Sequence, residues 1–244
     1  MKTLKSFMLL VGILLGSTAF YSCLDDNDDY YDFLWGSTPA IVTVKPLSES
    51  TYYMQLDDST TLYPANQVFP GQLKEIRALI RFKDDEKKEP GYDRTVQLVT
   101  LDTLLTKSIA PDLGPENDSY YGTDKLALNL AGGWSKTGVW IEDGYITFDF
   151  YIQRGYNDNV KHFLNLVQTN SADPYELEFR HNAYGDIDSS IRPSAGLVSF
   201  KLDKLPSTEG KTVKLKIKYK SFVSNDYNTV ELDYKSKDTV DTEE

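Results

Sequence analysis

The sequence predicts an all-β protein in two parts, a small closed barrel followed by a β-sandwich. Strand signals dominate the chain. They fall into two groups, about five in about seventy residues and then about seven more, on either side of a loop-rich stretch. The chain also holds 17 Tyr and 11 Phe, residues that half-buried sheets favour.

The first element is an export signal. Lys2 and Lys5 form a basic start, and Phe7 to Leu15 form an apolar run broken by Gly12. That run is far short of the roughly 20 residues a spanning helix needs. Small and polar residues then lead through Ser22 to Cys23, the one cysteine of the chain. This pattern looks like a lipobox, in which the thiol is acylated and becomes the new N-terminus. Phe20 stands three places before the cysteine, where leucine is usual. Cleavage would remove residues 1–22, and several acyl chains on Cys23 would anchor the rest far better than one. Residues 23–36 then form a tether rich in acids, with Asp25, Asp26, Asp28 and Asp29. Such a cluster beside a lipidated cysteine resembles the surface-export signal of Bacteroidetes-type lipoproteins. It favours the outer face of the outer membrane over the periplasmic face.

The barrel is expected over residues 37–112. Ala40 to Lys45 is β-branched and runs into Pro46. Thr51 to Leu56, an Asp57-Asp58-Ser59 turn, and Thr60 to Tyr63 read as a hairpin. Leu73 to Phe82 alternates, and the charged run Lys83 to Glu89 ends it at Pro90-Gly91. Arg94 to Ile109 is one more β-rich stretch. Loop residues crowd Ala110 to Thr123, so a linker is drawn at 113–123.

The sandwich is expected over 124–235. Trp140-Ile141, a Glu142-Asp143-Gly144 turn and Tyr145 to Ile152 carry the Asp-Gly hairpin signal. Ile146, Phe148, Phe150 and Ile152 form the core face there, and Tyr145, Thr147, Asp149 and Tyr151 form the polar or aromatic one. Val160 to Gln168, Glu176 to His181 and Leu197 to Leu202 are further strands. In Lys211 to Lys220, Val213, Leu215, Ile217 and Tyr219 face in while four lysines face out, as on an edge or solvent-facing strand. Val230 to Tyr234 closes the set, and 236–244 is a polar, acidic tail expected to be disordered.

Two stretches carry a family resemblance. Tyr52 to Pro64 resembles the first-domain hairpin of NigD-like lipoproteins. Leu177 to Asp186 is similar to their second-domain signature, a strand ending in Arg180-His181-Asn182 and then a Gly185-Asp186 turn. The resemblance covers essentially the whole exported chain. It implies an N-terminal OB-like barrel and a C-terminal β-sandwich. The family's name comes from a bacteriocin gene cluster in which a member was proposed as an immunity factor. The resemblance brings no catalytic residues with it.

Candidate chemistry is sparse. Gly133 to Gly138 is one residue too long for a nucleophile elbow and lacks the strand-to-helix setting, so Ser135 reads as part of a turn. His162 and His181 are the two histidines, without the spacing of a zinc site. His181 is expected to bond a neighbouring turn backbone, and Arg180 to hold a carboxylate. Asn182, Asp186 and Asp188 crowd Gly185 and form a weak calcium candidate, against which stands the ability of Asx residues to make turns without metal. Tyr30-Tyr31, Tyr52-Tyr53, Tyr120-Tyr121 and Trp134 offer aromatic binding surface. Within a strand, neighbouring tyrosines point to opposite faces, so at most one of each pair is core.

The formal charge is −11 and becomes −13 once Lys2 and Lys5 are lost. Such a chain repels phosphate backbones, so no nucleic-acid partner is expected. The expected partners are the membrane, through lipid on Cys23, and an envelope protein or glycan. No cofactor is expected. The favoured reading is a non-enzymatic envelope lipoprotein that binds a partner, with bacteriocin immunity as one form of that role. A structural or assembly subunit of an outer-membrane complex is the alternative, and an envelope hydrolase ranks below both.

Overall fold

The computed structural model describes residues 36–131, 134–157, 159–169 and 172–237. The signal, Cys23, the acidic tether, Tyr30-Tyr31, Gly133 and the tail from 238 onward lie outside the described residues.

Five strands close the barrel: β1 (Thr38–Pro46), β2 (Tyr52–Gln55), β3 (Thr61–Pro64), β4 (Ile76–Asp84) and β5 (Arg94–Thr103). Their order is β1-β2-β3-β5-β4, with β4 returning to β1. Alternation fills the interior with Ala40, Val42, Val44, Tyr52, Met54, Leu62, Ala78, Ile80, Phe82, Val96 and Leu98. Each fully buried large side chain among them contributes about 1.5–3 kcal/mol. The β2–β3 turn forms because Asp57 Oδ1 accepts the amides of Ser59 at 2.8 Å and Thr60 at 2.7 Å.

The chain leaves the barrel at Leu104. The next strand, β6 (Leu105–Ser108), already belongs to the sandwich. There follow a short 3-10 turn at Gly114–Glu116, α1 (Asn117–Tyr121), β7 (Leu126–Leu128), β8 (Val139–Glu142), β9 (Tyr145–Ile152), β10 (Phe163–Gln168), β11 (Glu176–Asn182), β12 (Ser194–Lys201), β13 (Val213–Lys220) and β14 (Tyr227–Tyr234). One sheet runs β6-β12-β9-β7 with β8 also on β9, and the other β10-β11-β13-β14. Between them Phe148 stacks on Phe179 at 4.1 Å, and Phe200 meets Phe148 edge-on at 5.9 Å.

Several expectations differ from this arrangement. Arg94 to Ile109 looks like one β-rich stretch, yet β5 belongs to the barrel and β6 pairs in parallel with β12. The changeover is a single residue, so the loop-rich 113–123 is not where the chain passes between the two cores. That stretch packs on the sandwich through α1, with Tyr121 buried and its hydroxyl donating to Pro111 O at 2.8 Å. Tyr145, Thr147 and Asp149, expected on the polar or aromatic face opposite the core face, are buried as well. The barrel covers Tyr145, whose hydroxyl donates to Glu75 at 2.6 Å, and Asn129 covers Asp149 at 3.1 Å. The lysine row lies on β13, an interior strand between β11 and β14, so it is solvent-facing and not an edge. Its lysines pair with Asp233, Asp173 and Glu178. Within the expected tail, Ser236 bonds Thr208 and Lys237 pairs with Asp143.

Candidate functional site

β11 delivers the Arg-His-Asn motif by simple alternation. Leu177, Phe179 and His181 point into the sandwich, and Glu178 and Arg180 point out. Arg180 Nε donates to Glu178 at 2.7 Å, and its Nη1 donates to Asp118 at 2.8 Å and to Gly122 O at 3.3 Å. Burial lowers the Arg180 pKa and the two carboxylates more than restore it, leaving it raised. Asn182 donates to Tyr120 O at 3.2 Å and accepts from the Tyr184 amide at 3.0 Å. The motif thus straps α1 to the sheet. Gly122 makes this possible: with φ of +80°, a Cβ there would sit 2.4 Å from His181 O and 2.6 Å from Asn182 Cα.

His181 lies at the end of a buried chain of contacts. Its Nδ1 is 3.2 Å from Lys125 O, its Nε2 is 2.9 Å from His162 Nδ1, and His162 Nε2 is 3.2 Å from Asp186 Oδ2. Lys125 O accepts only, so His181 Nδ1 carries the ring proton there. Burial pushes the His181 pKa down to about 4, against the pull of Lys125 O, which keeps this imidazole neutral. Asp186 also accepts the Asn157 amide at 3.3 Å and its backbone oxygen accepts from Gly155, which closes a loop onto the turn after β11.

His181 thus bonds the backbone of Lys125, and Arg180 the carboxylates of Glu178 and Asp118. Each residue of the weak calcium candidate bonds groups of the protein itself. Asn182 is committed to Tyr120 and Tyr184, Asp186 to His162, and Asp188 caps Ser190 at 2.8 Å. Among the described residues, no group of three or more His, Cys, Asp and Glu side chains is placed to hold a metal ion. Ser135 bonds Val139 O and Thr137, as a turn residue does. His162 precedes β10 rather than lying within it, and nothing local in the sequence announces its role. Only the β10–β11 register, with Leu164 opposite His181, brings the rings together. Of the aromatic pairs, Tyr52 and Tyr121 are core, while Tyr53 rests on Tyr92 at 5.7 Å and Tyr120 is exposed.

A second constellation sits where the barrel meets the sandwich. Arg77 on β4 is fully buried, bonds Thr43 at 3.1 Å and Glu142 at 3.0 Å, and lies 6.0 Å from the Tyr145 ring centroid. Burial lowers the Arg77 pKa, opposed by Glu142. It raises that of Glu142, despite Arg77. The Asp143-Gly144 turn has φ of +50° and +77°, as a type I′ hairpin demands. Asp143 is buried there, 2.9 Å from Lys45 and 2.6 Å from Lys237. Burial pushes its pKa up, and Lys237, Lys45 and Thr43 more than offset this, leaving it lowered. In the sequence Asp143 is a turn signal and Arg77 one member of an alternating strand, because alternation gives the face and not what covers it.

A five-stranded closed barrel fused through one residue to a two-sheet sandwich, with its polar motif bonded inward, defines a two-domain all-β protein with an OB-type first domain. The NigD-like N-terminal OB domain matches residues 41–104, and the NigD-like C-terminal beta sandwich domain matches residues 108–234. The chain belongs to the NigD-like family. A crystal structure from Parabacteroides distasonis, provisionally described as toxin-related, is 35% identical with a TM-score of 0.70, over 82% of this chain and 93% of that one. One from Bacteroides fragilis, provisionally described as a lipoprotein, is 17% identical with a TM-score of 0.61, over 82% and 99%. A NigD-like immunity protein from Bacteroides caccae is 17% identical with a TM-score of 0.58, over 83% and 99%. The last two share the fold alone. Among curated proteins, none matches the sequence significantly. No helix of the described residues is long and apolar enough to cross a membrane.

Proposed function

We propose that this protein is a lipid-anchored, non-enzymatic binding protein of the bacterial cell envelope. Cleavage before Cys23 and lipid on its thiol tie it to the outer membrane, and the acidic tether directs it to the outer face. The observation that carries the binding reading is the use made of the family-like motif. Arg180, His181, Asn182 and Asp186 all bond the protein's own groups, so they brace a wall and leave recognition to the outer surface. The lipoprotein description of the Bacteroides fragilis structure supports the anchor. The toxin-related and immunity descriptions support a polypeptide toxin as the partner, which is the bacteriocin-immunity form of the role. Two linked measurements test this. Cells fed an alkyne-tagged fatty acid should label the wild-type chain and not Cys23→Ser, which should leave the membrane fraction. Cross-linking in the same cells should trap an envelope or toxin polypeptide. Equal labelling of both chains, or no cross-linked partner in toxin-exposed cells, counts against the reading.

A further inference from the structure

The seam between barrel and sandwich opens on one side into a cleft of about 230 Å³, lined by Ile41 and Leu56 from the barrel side and by Trp134 and Trp140 from the sandwich, with Asp57 and Glu142 beside them. Clefts between domains are common sites of ligand binding. The composition of this one is selective. Two indoles offer electron-rich faces, which attract cations more strongly than any other side-chain ring. Two carboxylates stand with them, and no Lys, Arg or His is among the described residues that line the cleft.

Glu142 is partly open at the cleft, with its side chain 31% exposed. Arg77 Nη2 at 3.0 Å and Trp140 Nε1 at 3.1 Å both bond its Oε2, and Oε1 takes neither. Its carboxyl stays raised by burial in spite of Arg77, so a further cation at this point would be favourable. Trp134 is 37% exposed, one of the large apolar side chains the fold leaves at its surface. The chain as a whole carries −11, which draws positively charged partners and repels anionic ones.

We propose that the Trp134–Trp140 cleft receives a Lys or Arg side chain of a basic polypeptide partner. This deepens the reading of the chain as a binding protein and rests on it. A stem of methylenes fits against Ile41 and Leu56, and the charged head lies between indole and carboxylate. Buried Trp and Arg dominate the energetics of many protein interfaces, and this cleft supplies the Trp half of such a pair.

The test uses the full lipidated chain in non-ionic detergent micelles, following the indole N–H resonances of Trp134 and Trp140. The probes are Nα-acetyl-lysine amide, the uncharged Nα-acetyl-norleucine amide and a malto-oligosaccharide. The lysine probe should shift both resonances and bind at least about five-fold more tightly than norleucine, as expected of a cation over an aromatic face. Trp134→Ala should abolish the preference. Asp57→Asn, which keeps the Oδ1 cap of its turn, should weaken lysine binding while melting like the wild type. Equal binding of lysine and norleucine would make the cleft merely apolar and overturn the proposal. Shifts with the sugar alone, or wild-type lysine binding by Trp134→Ala, would overturn it too. Cross-linking in cells separates the two levels. A native partner held equally by wild type and Trp134→Ala leaves the binding reading standing and removes the cleft from it. Lysine binding with no cellular partner does the reverse.

Discussion

His181 is neutral where most histidines near pH 6 are partly charged, and stability follows from that. Its folded pKa of about 4 lies below the ordinary 6.5, so between those values the unfolded chain binds more protons than the folded one. Stability from this group is fully present above about pH 6.5 and drains away as pH falls towards 4. Urea unfolding at about pH 7 and about pH 4.5 should differ by on the order of 2–3 kcal/mol from this residue. His181→Gln should be less stable at neutral pH and should lose that part of the slope. An unchanged slope would mean that His181 is not buried as described. Little of this was legible in advance. The motif Arg180-His181-Asn182 stands out in the sequence, and His181 against a backbone oxygen is what it suggests. His162 lies nineteen residues earlier in the chain, and its place is set by strand register. The turn chemistry around Asp188 resembles calcium-loop chemistry because both use oxygen at short spacing. With its carboxylates bonded separately, the melting temperature of the wild type should respond no more to added calcium or chelator than that of a chain with Asp186→Asn and Asp188→Asn. A calcium-dependent rise confined to the wild type would restore the metal site.

At the level of elements, α1 and β4 are the pieces whose placement matters most. α1 reaches β11 through Gly122, where the backbone passes too close for any side chain and takes φ of +80°. Gly122→Ala should cost more than about 2 kcal/mol in unfolding free energy, since both the strain and the clash fall on backbone. A near-neutral result would show that α1 is loosely held. β4 carries Arg77 to the seam. Removing one member of a fully buried pair costs about 3–5 kcal/mol, and here less, since the Glu142 side chain is 31% exposed; replacing both by uncharged groups costs less still. Arg77→Ala should therefore destabilise more than Arg77→Met combined with Glu142→Gln. Strand existence was readable along nearly the whole chain, because alternation of apolar residues survives any environment. Membership of a sheet was not. Arg94 to Ile109 reads as one β-rich stretch, and only Leu104 separates a barrel strand from a sandwich strand. Proline and glycine at 110–122 mark a loop, but a loop that packs and a loop that links have the same composition.

Across the whole molecule, the one-residue joint, the Arg77–Glu142 pair and the Lys45–Asp143–Lys237 cluster tie the two cores together. Heat or urea should unfold them in a single transition, with Arg77→Ala separating the curve into two. Two resolved steps in the wild type would contradict that coupling. A body this well joined suits the proposed role of a tethered recognition surface. Where that surface faces is the point on which the proposed role turns, and protease shaving of intact native cells, with blotting for this chain, addresses it most directly. The account predicts that the chain is cut while a periplasmic control protein survives. Protection until the outer membrane is opened would contradict it, and would move the protein and its partner to the periplasmic side.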